Sequence, residues 1–255
     1  MSKVIAIANQ KGGVGKTTTS INLAASLVRT RRRVLLIDID PQGNATMGSG
    51  VDKQALHAST YEVLIGEAPI MQTRLHVDAD YDLVPANDNL SGAQVELLNL
   101  ERRDRRLRDS LVTVDGSYDY VLIDCPPALN LLTVNALVAA DAVMIPMQCE
   151  YYALEGLTAL LNVISRIRQS LNPQLKIEGL LRTMFDPRNN LDNEVSAQLK
   201  QHFGDKLYRT IIPRNVRLAE APSYGKPVIS YDMQSKGAQA YLALAGEMLR
   251  RDEAA

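Results

Sequence analysis

The stretch QKGGVGKTTT at 10–19 constrains this chain more than any other. It follows a short apolar run, VIAIA at 4–8, and leads into a helical pattern that starts near Lys16. Strand, glycine-rich loop and helix is the order that points backbone N–H groups and a helix N-terminus at phosphate. Gly12, Gly13 and Gly15, with Val14 among them, leave room for the backbone to wrap an oxyanion, because no Cβ blocks the approach. Lys16 supplies a point charge to the β- and γ-phosphates, the Thr17 hydroxyl can reach Mg2+, and Thr18 continues the loop into the helix. The usual spacing, G-x-x-x-x-G-K-[ST], would need glycine at position 10, where Gln10 stands. What stands instead is KGGVGKT with an extra lysine, Lys11, at its head. The plain alternative, a glycine-rich turn, does not account for the strand before it and the helix after it.

Two more segments fit a phosphate site. VLLIDIDPQGN at 34–44 is an apolar strand ending in two carboxylates and a turn. Carboxylates at the C-terminal end of a parallel strand face the ligand crevice of such sheets. Asp40 is the better candidate for orienting an attacking water, and Asp38 is grouped with Thr17 as a candidate metal residue. Phosphoryl transfer needs positioning and charge stabilisation more than covalent help. YVLIDCPP at 120–127 is a second apolar strand ending in an acid, Asp124, suited to a Mg2+ shell directly or through water. Pro126 and Pro127 stiffen the segment after this strand.

Strand-like runs at 34–37, 120–123, 142–147, 177–181 and 208–212 alternate with helical stretches at 17–28, 131–139, 154–171, 192–203 and 235 to about 250. The strands are continuously apolar rather than alternating, which predicts strands covered on both faces. Repeated βα units predict an α/β fold: a mostly parallel twisted sheet with helices on both faces. Residues 50–110 are less regular and read as loops, short helices and one strand at 81–85. With no repeat or linker, 1–255 reads as one domain.

Net charge is −1, so any nucleic-acid site must be a local patch. Cys125 and Cys149 lack metal-type spacing and read as reduced core residues of a cytosolic protein. No apolar run approaches the ~18 residues that span a bilayer. The runs RTRRR at 29–33 and ERRDRRLR at 101–108 read as a helix C-terminus matched to its dipole and as a solvated helix face with i,i+4 pairs.

The motifs together resemble the ParA/Soj family of partition ATPases, of the deviant Walker A (ParA/MinD) class of P-loop NTPases. The resemblance is carried by QKGGVGKTTT, LIDIDPQGNAT at 36–46, LIDCPP at 122–127, QCEYYALEGL at 148–157 and YRTIIPRNVRLAEAPSYGKPV at 208–228. It is nearly end to end and closest to the short chromosomal Soj-like form. It implies ATP and Mg2+ as cofactors and an ATP-dependent homodimer in which Lys11 reaches the phosphates of the partner subunit. Gly12 would then lie where two loops meet, and Pro213 and Asn215 near adenine. It also implies nonspecific double-stranded DNA binding, a ParB-like (Spo0J-like) partner that stimulates hydrolysis, and a cytoplasmic, nucleoid-associated protein.

Between Arg182 and Lys226 the sequence holds eight Lys/Arg and five Asp/Glu, a surplus of three that a dimer would double. Arg188 and Arg217 match family positions implicated in DNA contact; Lys200, Lys226, Lys236 and Arg250 are further candidates. The phosphate loop starts ten residues from Met1, so no N-terminal helix-turn-helix domain is expected. Three alternatives stay open: a MinD-like membrane-associated ATPase, a positioning ATPase for a protein cargo, and a metabolic ATP-dependent ligase. The C-terminus, GEMLRRDEAA, lacks the bulky apolar residues of a membrane anchor, and no membrane partner is expected.

Overall fold

A computed structural model describes residues 2–114, 116–151 and 153–254, apart from the side chains of Leu154 and Glu155. Tyr152 of the 148–157 motif therefore lies outside the described residues. The strands are β1 (Lys3–Ile7), β2 (Val34–Asp38), β3 (Leu75–His76), β4 (Asp82–Val84), β5 (Tyr120–Asp124), β6 (Ala142–Gln148), β7 (Lys176–Phe185) and β8 (Leu207–Pro213). The helices before β5 are α1 (Lys16–Arg29), α2 (Asn44–Gly48), α3 (Thr60–Ile65), α4 (Ile70–Thr73), α5 (Leu90–Glu96) and α6 (Arg106–Leu111). Those after it are α7 (Leu131–Ala139), α8 (Ala153–Ser170), α9 (Asn190–Phe203), α10 (Val216–Glu220), α11 (Val228–Tyr231) and α12 (Lys236–Glu253).

The strands form one eight-stranded sheet in the order β3-β4-β2-β5-β1-β6-β7-β8. Every pairing is parallel except β3 with β4. Alternate residues of each central strand enter different cores, which explains their continuous apolarity. Ile5, Ile7, Val34 and Leu36 pack with Leu23 and Leu27 of α1 and with Tyr241 and Leu244 of α12. Ala6, Leu35 and Ile37 pack with Leu64, Leu107, Leu132, Leu160 and Leu199 on the other face. Burying each such leucine or isoleucine is worth about 1.5–3 kcal/mol relative to exposure. The architecture is the α/β one the sequence predicts, a mostly parallel sheet covered by helices on both faces.

The strand expected at 81–85 is present as β4, but the antiparallel β3 was not expected. It is two residues long and both are exposed, so no buried apolar run marks it. β7 runs four residues past the apolar stretch 177–181, and Arg182 and Thr183 continue it as buried polar residues. The pairing of β7 with β8 slips between Leu180↔Leu207 and Arg182↔Ile211, leaving extra residues on β8. The Arg182 guanidinium fills that irregularity, donating to the carbonyls of Tyr208 at 2.8 Å and Arg209 at 3.3 Å. From α12, Glu247 accepts the N–H groups of Arg209 and Thr210, each at 2.8 Å. Arg182 is therefore a structural cation and leaves the basic surface that the sequence count included. The 101–108 run is not one helix face either. Arg102 has φ 53°, the chain turns there, and α6 starts only at Arg106. Arg106 is spent on the carbonyls of Leu64 and Ile65 at the end of α3.

Candidate nucleotide-binding site

β1, β2 and β5 lie side by side, and their C-terminal ends carry the three motif segments to one place. The loop after β1 turns through Gly13 and Gly15, whose φ values of 74° and 86° favour glycine. Gly15 is the N-cap of α1 and offers no side chain to the helix N-terminus, so the first-turn N–H groups point at whatever the loop holds. Val14 is buried beneath the loop, and its carbonyl accepts from Thr183 Oγ1 at 2.8 Å, which ties the loop to β7. Asn9 fixes the loop's entry: its Nδ2 donates to Pro146 O and its Oδ1 accepts from Lys11 N.

Lys16 is 7% exposed, and its Nζ donates to the Lys11 carbonyl at 3.1 Å across the loop. Burial lowers its pKa, against the pull of Asp124 and Asp40. The Thr17 hydroxyl donates to Asp124 Oδ2 and the Ser20 hydroxyl to Asp124 Oδ1, both at 2.8 Å. Asp124 and Asp38 are fully buried, and burial raises both carboxyls above the ordinary range; their proximity adds to the rise at Asp38. The desolvated Asp124 carboxylate, beside Thr17 and Lys16, calls for a cation. Thr17 and Asp124 are the hard oxygen donors that Mg2+ prefers, and Lys16 is a buried ammonium resting on a carbonyl, so the residues fit a Mg-nucleotide. Among the described residues no cluster of three or more His, Cys, Asp and Glu could hold a metal ion.

Asp38 sits differently from the other two metal candidates. Its Oδ1 accepts from Asp40 N at 3.1 Å, and its Oδ2 from Thr46 N at 2.9 Å and Thr46 Oγ1 at 2.8 Å. Asp40 is 8% exposed; its Oδ1 accepts from Gln42 N at 3.0 Å, and no bond to its Oδ2 is found among the described residues. Lys11 pairs with Glu150, both side chains being about half exposed. Gly12 has no left-handed φ, and a Cβ there would meet none of the described residues within 4 Å. Pro213 ends β8 beside Phe185, and Arg214 N donates to the Phe185 carbonyl. Asn215 is the N-cap of α10, its Oδ1 accepting from Leu218 N at 3.3 Å. That oxygen is thus engaged locally. Sequence reasoning missed Ser20 and Thr46. The signals were present: Ser20 lies one helical turn after Lys16, and Thr46 closes the LIDIDPQGNAT motif.

A family model described as an AAA domain matches residues 2–177. The chain is 53% identical to the chromosome partitioning protein ParA of Caulobacter vibrioides over 253 residues, covering 98% of this chain and 95% of that one. It is likewise 53% identical to the sporulation initiation inhibitor protein Soj of Bacillus subtilis, covering 97% and 98%. The chain belongs to the ParA/Soj family. Among solved structures, the cobyrinic acid a,c-diamide synthase from Mycobacterium smegmatis with bound ADP and magnesium superposes with a TM-score of 0.88 at 38% identity, covering 99% of this chain and 96% of that one.

The candidate DNA contacts read from the sequence are scattered and exposed. Arg188, 88% exposed, is held by Asp186 through a paired contact at 2.9 and 2.7 Å. Its hydrogen bonds hold the Asp186 carboxyl down at about 2. Arg217 on α10 pairs with Glu220 at 2.8 Å and Asp232 at 3.2 Å. Lys226 and Lys236 are exposed. Lys200 and Arg250 line a groove of about 1970 Å³ with Lys176, Lys206 and Arg209, where β1, β6, β7 and β8 begin. This groove shares no residue with the phosphate loop. The chemistry of the site lies in the loop, because the buried Lys16 and paired carboxylates converge there and not in the groove.

Proposed function

We propose that this chain is an ATP-driven partition ATPase: Mg-ATP binding drives a sandwich dimer, the dimer binds DNA without sequence preference, and hydrolysis releases it. The observation that carries the reading is the division of labour between two lysines. Lys16 is buried in its own loop, whereas the Lys11 side chain is about half exposed and paired with Glu150. A half-exposed lysine beside an unobstructed Gly12 is suited to reach a second copy, as an arginine finger supplied in trans does. Relatives that are partitioning proteins by name at 53% identity support the same reading.

In this scheme the loop N–H groups and Lys16 hold the phosphates, while Thr17 and Asp124 would hold Mg2+, which when bound neutralises charge on the β- and γ-phosphates. Asp40 orients the attacking water. Pro213 packs on the adenine face, and Asn215 offers its amide N–H to the base while its oxygen caps α10. A ParB-like partner stimulates turnover, and the dimer works on the nucleoid, in the cytoplasm. Residues 1–255 act as one domain. Among the described residues no helix is long and apolar enough to cross a membrane.

The test is filter binding to two unrelated duplexes, with ATP, with ADP and without nucleotide, at several salt concentrations. The expected result is binding with ATP only, equal on both duplexes, with a log–log salt slope of about −0.9 per phosphate neutralised. Arg217→Glu is expected to weaken binding and leave ATP-driven dimerisation intact. Equal binding with ADP, or sedimentation with anionic liposomes instead of DNA, refutes the DNA reading.

A further inference from the structure

We propose that Thr46 is a positioning residue for Asp40, acting through Asp38; this rests on the reading of Asp40 as the carboxylate that orients water. Thr46 is fully buried at the start of α2. Its N–H and its hydroxyl both donate to Asp38 Oδ2, at 2.9 and 2.8 Å. The same hydroxyl oxygen accepts from Ala86 N at 2.8 Å. The other oxygen of Asp38 accepts from Asp40 N at 3.1 Å. A continuous chain of bonds thus runs from the backbone beyond β4, through one hydroxyl and one carboxylate, to the backbone of Asp40. With three donors on its two oxygens and no exposure, Asp38 anchors backbone.

The location of these bonds explains their use. The β2–β4 ladder ends at Ile37↔Val84, so past that pair no strand pairing holds the two chain ends together. Buried hydroxyls take over. Thr60 Oγ1 lies 2.7 Å from the Asp38 carbonyl and 3.1 Å from the Pro85 carbonyl, while Thr46 bridges the Asp38 carboxylate and Ala86. The turn after Asp40 leans on the same segment: a Cβ on Gly43 would stand 2.7 Å from Ala86 O. Lys53 adds an outer tie, from Gln42 O at 3.1 Å to Asp88 at 3.0 Å. Residues 85–88 are therefore the platform on which the Asp40 turn is set. None of these bonds involves the phosphate loop, so loosening them separates hydrolysis from nucleotide binding. Misplacing a catalytic group by about 1 Å can cost on the order of a hundredfold in rate.

The experiment measures steady-state ATPase activity, calorimetric ATP affinity and amide exchange of the nucleotide-free protein. Thr46→Val keeps the branched shape and removes the hydroxyl. It is expected to lower kcat on the order of tenfold or more. ATP affinity should stay within about twofold, since the phosphate cradle is untouched. Exchange at the Asp40 and Ala86 amides should quicken. Thr46→Ser, which restores the hydroxyl, should restore both kcat and the slow exchange. Asp38→Asn breaks the chain from its other end and removes a buried charge, so it decides the matter should Thr46→Val fail to fold. It is expected to give the same split between kcat and affinity. The Thr46→Val/Asp38→Asn pair should be no worse than the poorer single variant, as for residues acting in one network. Unchanged kcat in either single variant, or parallel loss of affinity and kcat, overturns the relay. Asp40→Ala is the control that keeps the two readings apart. If Asp40→Ala is inactive while Thr46→Val is fully active, the relay fails and Asp40 stands; if Asp40→Ala turns over normally, the role of Asp40 itself is refuted.

Discussion

The two charged regions of this molecule are built on opposite terms. At the phosphate loop, Lys16, Asp38 and Asp124 are buried, and desolvation moves each toward its neutral form. At the basic surface, Arg188 and Arg217 are exposed and answered by their own carboxylates, Asp186, Glu220 and Asp232. Burying uncompensated charge is costly, so its presence marks where a multiply charged ligand completes the site. Exposed pairs are individually weak and easily exchanged, which suits the releasable DNA contacts proposed above.

That contrast can be broken first at Lys16. Lys16→Ala is expected to weaken ATP binding on the order of a hundredfold, since charge-assisted bonds in a dry loop are lost. Near-normal affinity by calorimetry would mean that the buried ammonium is structural. A pair of glycine variants probes the loop next. Gly12→Val is expected to fold and bind ATP yet stay monomeric in light scattering, because none of the described residues of its own chain opposes a Cβ there. Gly15→Val, at φ 86°, should instead lose stability and ATP binding together. A Gly12→Val protein that dimerises normally on ATP would contradict the role proposed for Lys11.

The third prediction sets the two regions against each other in pH. The Asp38 and Asp124 carboxyls are raised in the folded state, so the native protein binds more protons than the unfolded chain between their ordinary value of 3.8 and their raised ones. Their contribution therefore disfavours folding as pH rises through that window and is relieved as pH falls. Asp186 has the opposite sign. Its depressed carboxyl favours folding above 3.8, a contribution that screening of the exposed pair keeps slight and that is lost as pH falls toward about 2. In nucleotide- and metal-free protein, thermal melts from about pH 5 to about pH 8 should fall less steeply for Asp38→Asn than for the parent. Equal slopes would remove the claim of a desolvated pair. The smallest effect is expected at the surface: Arg188→Ala should leave the melting temperature at neutral pH unmoved, since a fully solvated pair is screened.

Much of the site was legible in the chain because its parts are local. The spacing of Gly13, Gly15, Lys16 and Thr17 is fixed by one turn and one helix start, and apolar runs ending in Asp40 and Asp124 mark strand ends without any knowledge of their neighbours. The two-faced sheet was legible for the same reason, since strands covered on both sides must be apolar at every position. Residues 75–76 and 101–108 were not legible. The first pair has no burial to announce it, and in the second a left-handed Arg102 outweighs helical propensity.

By itself, then, the sequence determined the α/β fold, the phosphate loop and the identity of the charged groups at each strand end. Tertiary structure alone decided what each charge does. Only the slip between β7 and β8 turns Arg182 inward, and only the adjacency of β2 and β4 sets Thr46 between Asp38 and Ala86. The physical reason is range. Turns, caps and strand apolarity are set within a few residues, whereas whether a buried carboxylate meets its partner can depend on distant segments, as for Asp124 and Thr17, 107 positions apart.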